Sequence, residues 1–213
     1  MSARDRILER VRRATEGRGD PAAATERLAS RAQTAPTPAM ALSDGLDRTE
    51  RFVEMAVAAA ATLSRIDGPD ALPHALAEEL RARNLAPSIR CGTDPLFDRD
   101  WGGLEVSRGP GRLQEPATLS RALLGSAETG TVLLTSGAEN PVTLTFLGET
   151  HFVALSEADI CGGYEEMWGR LRATGLDPRT VNLVTGPSRS ADIGQTLQLG
   201  AHGPVALHIF LMP

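Results

Sequence analysis

The sequence predicts an α/β protein: a mainly parallel or mixed sheet with helices on its faces, preceded by a helical N-terminal appendage. Three observations carry that expectation. Strand-like runs alternate with helical periodicity from residue 49 onward. TVLLT at 131–135, VNLVT at 181–185 and VALHIFLM at 205–212 are continuous apolar runs, as expected of strands covered on both faces. A chain of 213 residues can also bury roughly 70% of its extended surface, which supports one core.

The elements follow in order. Residues 3–13, ARDRILERVRR, put Ile7, Leu8 and Val11 on one side of a short helix, which must dock or pair because an isolated helix of this length is marginal in water. From Arg31 to Gly45 proline, threonine, alanine and serine dominate, the composition of a connector. The expected division is an appendage and linker over 1–46 and an α/β domain over 47–213. Phe52, Val53, Ala56 and Val57 repeat at helical spacing within 49–60, as do Leu72, Leu76 and Leu80 within 71–83. A strand is expected near 86–90. VTLTF at 142–146 and HFVAL at 151–155 read as strands too, so 131–155 looks like a β-meander set in the α/β frame. Residues 157–174 contain a helix that returns the chain across a sheet face.

Composition removes several chemistries. All 22 basic residues are arginine and the net charge is -5. A lysine Schiff base, a P-loop lysine and a lysine general base are therefore excluded. A net negative chain is a poor general nucleic-acid binder, and the eight arginines and five acids of the first 31 residues suit a solvated helix. Cys91 and Cys161 are too few for a four-thiolate cluster and lack C-x-x-C spacing. Residues 1–20 are charged throughout and no apolar run approaches a membrane span. The expectation is a cytoplasmic protein with reduced thiols, no nucleic-acid partner and no membrane insertion.

Two segments can carry chemistry. GSAETGT at 125–131 reads as the stop of a helix and the opening of a strand. Glu128 stands there at a sheet lip, available as nucleophile, base or acceptor for a backbone N–H, with Thr129 and Thr131 as hydroxyls and Gly130 for turn geometry. TGPSRSADI at 185–193 follows a strand and leads toward a helix start. Gly186, Ser188, Arg189 and Ser190 offer backbone N–H groups, hydroxyls and a guanidinium to a carboxylate or phosphate; Ser190 and Asp192 are equally suited to capping. Of the four histidines, His74 lies on a helix, and His151, His202 and His208 lie at or in strands. None of them has metal-ligand spacing, which leaves hydrogen-bonding or general-base work for a histidine. No G-x-S-x-G elbow is present, and Trp101 and Trp168 read as packing anchors.

Taken together, AETGTVLL (127–134), the N-P pair at 140–141 with HFVAL (151–155), TGPSRSADI (185–193) and LGAHGPVALHIFLM (199–212) resemble the lactate utilization (LUD) family, distinctively over about residues 120–212. The resemblance implies a three-layer, Rossmann-like α/β fold similar to the NagB/RpiA/CoA-transferase superfamily. It also implies a place in a cytoplasmic system that oxidises L-lactate to pyruvate, as an accessory or ligand-binding subunit. The alternative is an independent enzyme acting on a small carboxylate, phosphate ester or thioester. The family's sister protein carries ferredoxin-like cysteine motifs that this chain lacks. Iron–sulfur chemistry is thus expected on iron–sulfur and oxidoreductase partner subunits, with no cluster here and no other cofactor assigned. The family's usual glutamate after the A-D-I triplet is Gly194 in this chain. Matching motif positions make Glu128 and His151 the catalytic candidates. Thr129, Gly130, Thr131, Asn140, Gly186, Ser188, Arg189, Ser190, Asp192 and His202 become the candidate contacts to a small anionic metabolite, and no residue is assigned to a metal. Glu128, His151 and loop 186–190 are expected to face one polar cleft, with Arg189 as the main anion contact.

Overall fold

The computed structural model describes residues 2–16, 20–34, 38–42, 46–113, 115–191, 197–199 and 202–213, in two compact units, 1–37 and 38–213. The first unit holds α1 (Ala3–Thr15) and α2 (Pro21–Thr34). A reciprocal pair of bonds starts α1: Ser2 Oγ accepts the Asp5 N–H at 3.1 Å and Asp5 Oδ2 accepts the Ser2 N–H at 2.9 Å, which satisfies two donors left over at a helix start. Ile7, Leu8 and Val11 form the expected stripe and remain exposed. Helix α2 runs to Thr34, so helix occupies the beginning of the stretch expected to be connector.

The second unit contains α3 (Leu46–Ala58), β1 (Thr62–Arg65), α4 (Leu72–Ala82), β2 (Ser88–Cys91), β3 (Glu105–Arg108), β4 (Glu115–Arg121), β5 (Leu124–Ser126), β6 (Thr131–Thr135), α5 (Val142–Leu147), β7 (Gly148–Ser156), β8 (Ile160–Cys161), α6 (Tyr164–Ala173), β9 (Val181–Val184), β10 (Arg189–Ala191), β11 (Leu197–Leu199) and β12 (Ala206–Met212). Six strands form a sheet in the order β1-β12-β7-β4-β2-β3, and all its pairings are parallel. The last strand, β12, thus lies between β1 and β7. A smaller mixed sheet has the order β8-β5-β6-β9, and β10 and β11 pair as a hairpin.

Burial explains the layering. On one face of the large sheet, Phe152, Ala154, Phe210 and Leu119 pack with Leu72, Leu76 and Leu80 of α4, whose four-residue spacing makes a single apolar stripe. On the other face, Val153, Leu155, Leu207, Ile209 and Leu211 meet Phe52 and Ala56 of α3 and Val132 and Leu134 of β6. The outer side of the small sheet packs Leu124, Leu133 and Cys161 against Met167 and Leu171 of α6. Strands β7 and β12 read as unbroken apolar runs because both of their faces are covered. The α/β architecture of a parallel central sheet flanked by helices is as expected, with one flanking layer part helix and part sheet.

Three local expectations are corrected. VTLTF at 142–146 is helix α5, not a strand, and β6 and β7 lie in different sheets, so 131–155 is no meander. Pro141 precedes the helix, Leu144 and Thr145 are buried under it, and the Thr118 hydroxyl donates to the Leu144 carbonyl at 2.7 Å. β-Branched residues fit a pleated surface well, but tertiary contacts decide. GSAETGT begins within strand β5, not at the end of a helix: Leu124 joins the outer core, while a Cβ on the next residue, Gly125, would meet Leu155 and Phe52 of the inner one, the alternation of a strand. Beyond Pro187 the chain enters the β10–β11 hairpin rather than a helix.

Candidate functional site

Strands β5, β8 and β9 run in the same direction, β6 against them. The β5–β6 turn, the start of α6 and the segment after β9 therefore converge at one end of the small sheet. In the turn, the Gly130 N–H donates to Ser126 O at 2.9 Å and Glu128 N–H to Gly162 O at 2.9 Å. Gly130 has φ +65° and lies against α3: a Cβ there would fall within 2.5 Å of the Ala56 Cα. Gly186, with φ +74°, presses on the turn that follows the same helix, and a Cβ would collide with the Ala59 carbonyl. Only glycine meets both requirements, a left-handed backbone and a close approach.

Four hydroxyls join these segments. Thr131 Oγ1 is fully buried and hydrogen-bonded to Thr129 Oγ1 at 2.6 Å, Tyr164 OH at 2.9 Å and Thr185 Oγ1 at 2.6 Å. Thr129 also donates to Tyr164 OH at 3.1 Å. By strand alternation Ser126, the register partner of Thr131 and Cys161, shares this face, and its buried hydroxyl has no partner among the described residues. Glu128 is half-buried, and its Oε2 lies over Gly163, 2.6 Å from where a Cβ would stand. Next to it, Glu166 accepts the Gly162 N–H at 2.8 Å and pairs with Arg48 at 3.1 Å. The cluster thus presents hydroxyls and a carboxylate near the first N–H groups of α6, where partial positive charge gathers.

The loop after β9 continues the arrangement. Ser188 N–H donates to Pro204 O at 2.8 Å, and Ser188 Oγ accepts the His202 N–H at 3.4 Å. Arg189 is exposed at the start of β10, and Ser190 pairs in register with Gln198. Asp192 lies outside the described residues. The structure thus brings Thr129, Gly130 and Thr131 together with the 185–188 segment, and Ser188 with His202.

Two candidates stand apart. His151 lies inside β7 with no exposed surface, its Nε2 3.0 Å from Ser120 Oγ and its Nδ1 without a partner among the described residues. Burial pushes its pKa down to about 3, so the ring is neutral at ordinary pH. No hydrogen bond joins it to Glu128. Asn140 lies beyond the opposite end of β6, where its Nδ2 donates to Thr135 O at 3.2 Å. Tyr164 and Thr185, which complete the cluster, were missed. The available signal was that Tyr164 is the single tyrosine and follows a glycine pair.

Both thiols are free and buried, and burial pushes them up, toward the protonated form. Among the described residues, no three histidine, cysteine, aspartate or glutamate side chains are grouped to hold a metal, and no helix is long and apolar enough to cross a membrane. A cleft of about 720 Å³ between α4 and loop 100–104 is mostly apolar and includes none of the sequence-predicted site residues.

Comparison with known proteins matches the part of the chain that builds this site. Residues 114–212 fit the LUD domain model. An uncharacterized protein of Neisseria meningitidis is 38% identical over 90 residues, 41% of this chain and 38% of that protein. Lactate utilization protein C of a Geobacillus strain is 35% identical over 83 residues, 37% of this chain and 34% of that protein; the Bacillus subtilis protein of the same name is also 35% identical over 83 residues, covering 37% and 35%. The matched stretch spans little more than a third of the length of these relatives. A crystal structure of a DUF162 family protein from Deinococcus radiodurans has the same fold, with a TM-score of 0.62 at 21% identity over 78% of this chain and 97% of that one. Residues 114–212 thus match the LUD domain, and a stretch of the chain is similar to lactate utilization protein C.

Proposed function

We propose that the chain serves lactate utilization as a ligand-binding or accessory subunit of a cytoplasmic system that oxidises L-lactate to pyruvate. The observation that carries this reading is the meeting of the AETGT turn and the TGPSR loop on one hydroxyl cluster. Motifs more than fifty residues apart in sequence then serve one site, as α/β folds arrange where connecting loops converge. The names of the similar proteins support the lactate assignment, and the relation to the NagB/RpiA/CoA-transferase superfamily belongs to the same reading.

In this reading the metabolite's carboxylate is held by the Arg189 fork and by N–H groups near the start of α6. The threonine hydroxyls orient its polar substituent, and Glu128 accepts a proton. His151, neutral and bonded to Ser120, holds the strands beneath rather than carrying the proton. Oxidation of lactate to pyruvate releases two electrons and two protons, and the electrons pass to iron–sulfur and oxidoreductase partners.

The test is reconstitution of lactate oxidation from the iron–sulfur partners with and without this chain, and with Glu128→Gln and Arg189→Lys. Omission should abolish turnover. Arg189→Lys keeps the charge but loses the bidentate fork and should weaken metabolite binding by roughly 5-fold to 150-fold, the effect of about 1–3 kcal/mol. An undiminished rate without the chain rejects the subunit role.

A further inference from the structure

We propose that a second cleft, at the carboxyl ends of β2 and β4, binds a short carboxylate that bears a hydroxyl or ammonium group on the neighbouring carbon. Topology singles out the place. From β2 the chain passes to its neighbour β3 on one side; from β4 it passes, through the small sheet and α5, to its neighbour β7 on the other. The two connections leave in opposite directions, and the crevice that opens between such strands is where open parallel sheets hold their ligands.

The crevice exists and has a floor. It encloses about 500 Å³, within the range of small-molecule sites. Arg121 is the last residue of β4, Asp94 follows β2, and Thr135 and Asn140 come from the end of β6 and the loop beyond it. That loop is fastened to β2: the Thr93 N–H donates to Ala138 O at 3.2 Å, and the Glu139 carbonyl occupies the space a Cβ on Gly92 would need.

The polar groups lining it are underused. Asn140 is 7% exposed. Its donation to Thr135 O sets the amide orientation, and the other end, Oδ1, is a buried acceptor with no partner among the described residues. A buried acceptor left unpaired is destabilising, so a ligand donor placed there would relieve it. Arg121 reaches Asp94 only at 3.6 Å and its side chain is 46% exposed, leaving most of its N–H fork to a ligand carboxylate. Asp94 is 10% exposed in its side chain and holds the Leu96 N–H at 2.8 Å, so it is a fixed acceptor.

Charge narrows the ligand. Asp94, Glu139 and Asp177 line the cleft with the Arg121 guanidinium. A bare carboxylate meets net repulsion there, whereas one with an adjacent donor satisfies Arg121 and the acceptors together. The site is separate from the hydroxyl cluster, since Thr131 and Thr135 are the two ends of β6, roughly 13 Å apart at strand spacing.

Isothermal titration of the full chain with L-lactate, L-alanine and propionate tests this without any partner protein, so its outcome is distinct from that of the reconstitution. In the Arg189→Lys background, where the hydroxyl-cluster site is disabled, L-lactate or L-alanine should bind saturably at one site, with propionate, which lacks the donor, at least about fivefold weaker. Arg121→Gln should weaken binding by roughly tenfold. Asn140→Leu should do the same, with a thermal melt to confirm folding, while Thr131→Val should leave the Kd within about twofold. Arg121 is half-exposed, so Arg121→Gln decides the matter even if Asn140→Leu fails to fold. Absence of saturable binding by both probes overturns the proposal. So does binding unchanged by Arg121→Gln, or binding lost through Arg189→Lys instead, which would move the ligand to the hydroxyl cluster.

Discussion

Replacing Gly130 by alanine tests whether the AETGT turn is locked onto α3. Two independent penalties act at this position. Its φ of +65° is left-handed, where a Cβ costs about 1–2 kcal/mol. The new methyl would also stand within 2.5 Å of the Ala56 Cα and of the Met55 carbonyl carbon, and overpacking against backbone costs about 1–3 kcal/mol. The alanine variant's unfolded chain has less freedom, which offsets about 0.4–1 kcal/mol. The net loss is about 1–5 kcal/mol, a fall in Tm of roughly 2–20 °C for a chain of this size. Gly175→Ala is the control: its φ of +69° is similar but nothing lies within 4 Å of its Cβ position, so only the backbone penalty applies. Thermal unfolding followed by far-ultraviolet circular dichroism compares the two variants. If Gly130→Ala melts no lower than Gly175→Ala, the turn is free to move away from α3 and the packing argument fails.

Other consequences can be measured separately. Thr131→Val keeps the shape of the side chain but removes three hydrogen bonds; urea unfolding should show a loss of about 1–3 kcal/mol, and an unchanged midpoint would mean that water replaces the hydroxyl without cost. Stability should also fall in mild acid. Burial lowers the pKa of His151 to about 3 and of His208 to about 4, while in the unfolded chain both titrate near 6.5. Their contribution is complete above about pH 6.5 and lost as pH falls toward the folded values, at roughly 1.4 kcal/mol per pH unit for each ring. His208 faces Thr62 of β1 and Arg83 and Glu79 from α4 and its end, so His208→Gln should flatten the slope between pH 6 and 4, and a slope identical to wild type would assign it to other groups. Deleting residues 2–37 should leave the α/β circular dichroism of the remaining unit intact, and its collapse would show that the first unit is needed for folding.

Legibility in the sequence followed the side chains' own periodicity. Leu72, Leu76 and Leu80 announce α4, and the apolar runs of β6, β7 and β12 announce a sheet covered on both sides, because each pattern is complete within a few residues. Strand β4 was silent although it is central: Thr118 and Ser120 are fully buried in it, and EPATLSR does not read as a core strand. The site divided in the same way. The glycines and threonines of AETGT and TGPSR are visible as turn chemistry, but the bonds that unite them run through Thr131, Thr185 and Tyr164, which no local pattern links. His151 illustrates the opposite difficulty. A strand-start histidine after a polar turn reads as accessible, yet β12 and β4 flank it in register and the layer above closes over it.

The place of β12 bears on how the chain reaches its native state. Thr62 of β1 and His208 of β12 are hydrogen-bonded across 146 residues, and β12 also fills the gap beside β7. During synthesis, β1 and the β7–β4–β2–β3 block emerge early, and each must wait with one raw edge until residue 212 has left the ribosome. Pairings of such long sequence separation form slowly, and open edges are templates for joining other chains. The nascent chain is therefore most vulnerable between the emergence of β7 and that of β12, and pauses in translating the stretch between them should increase its aggregation more than pauses before β7.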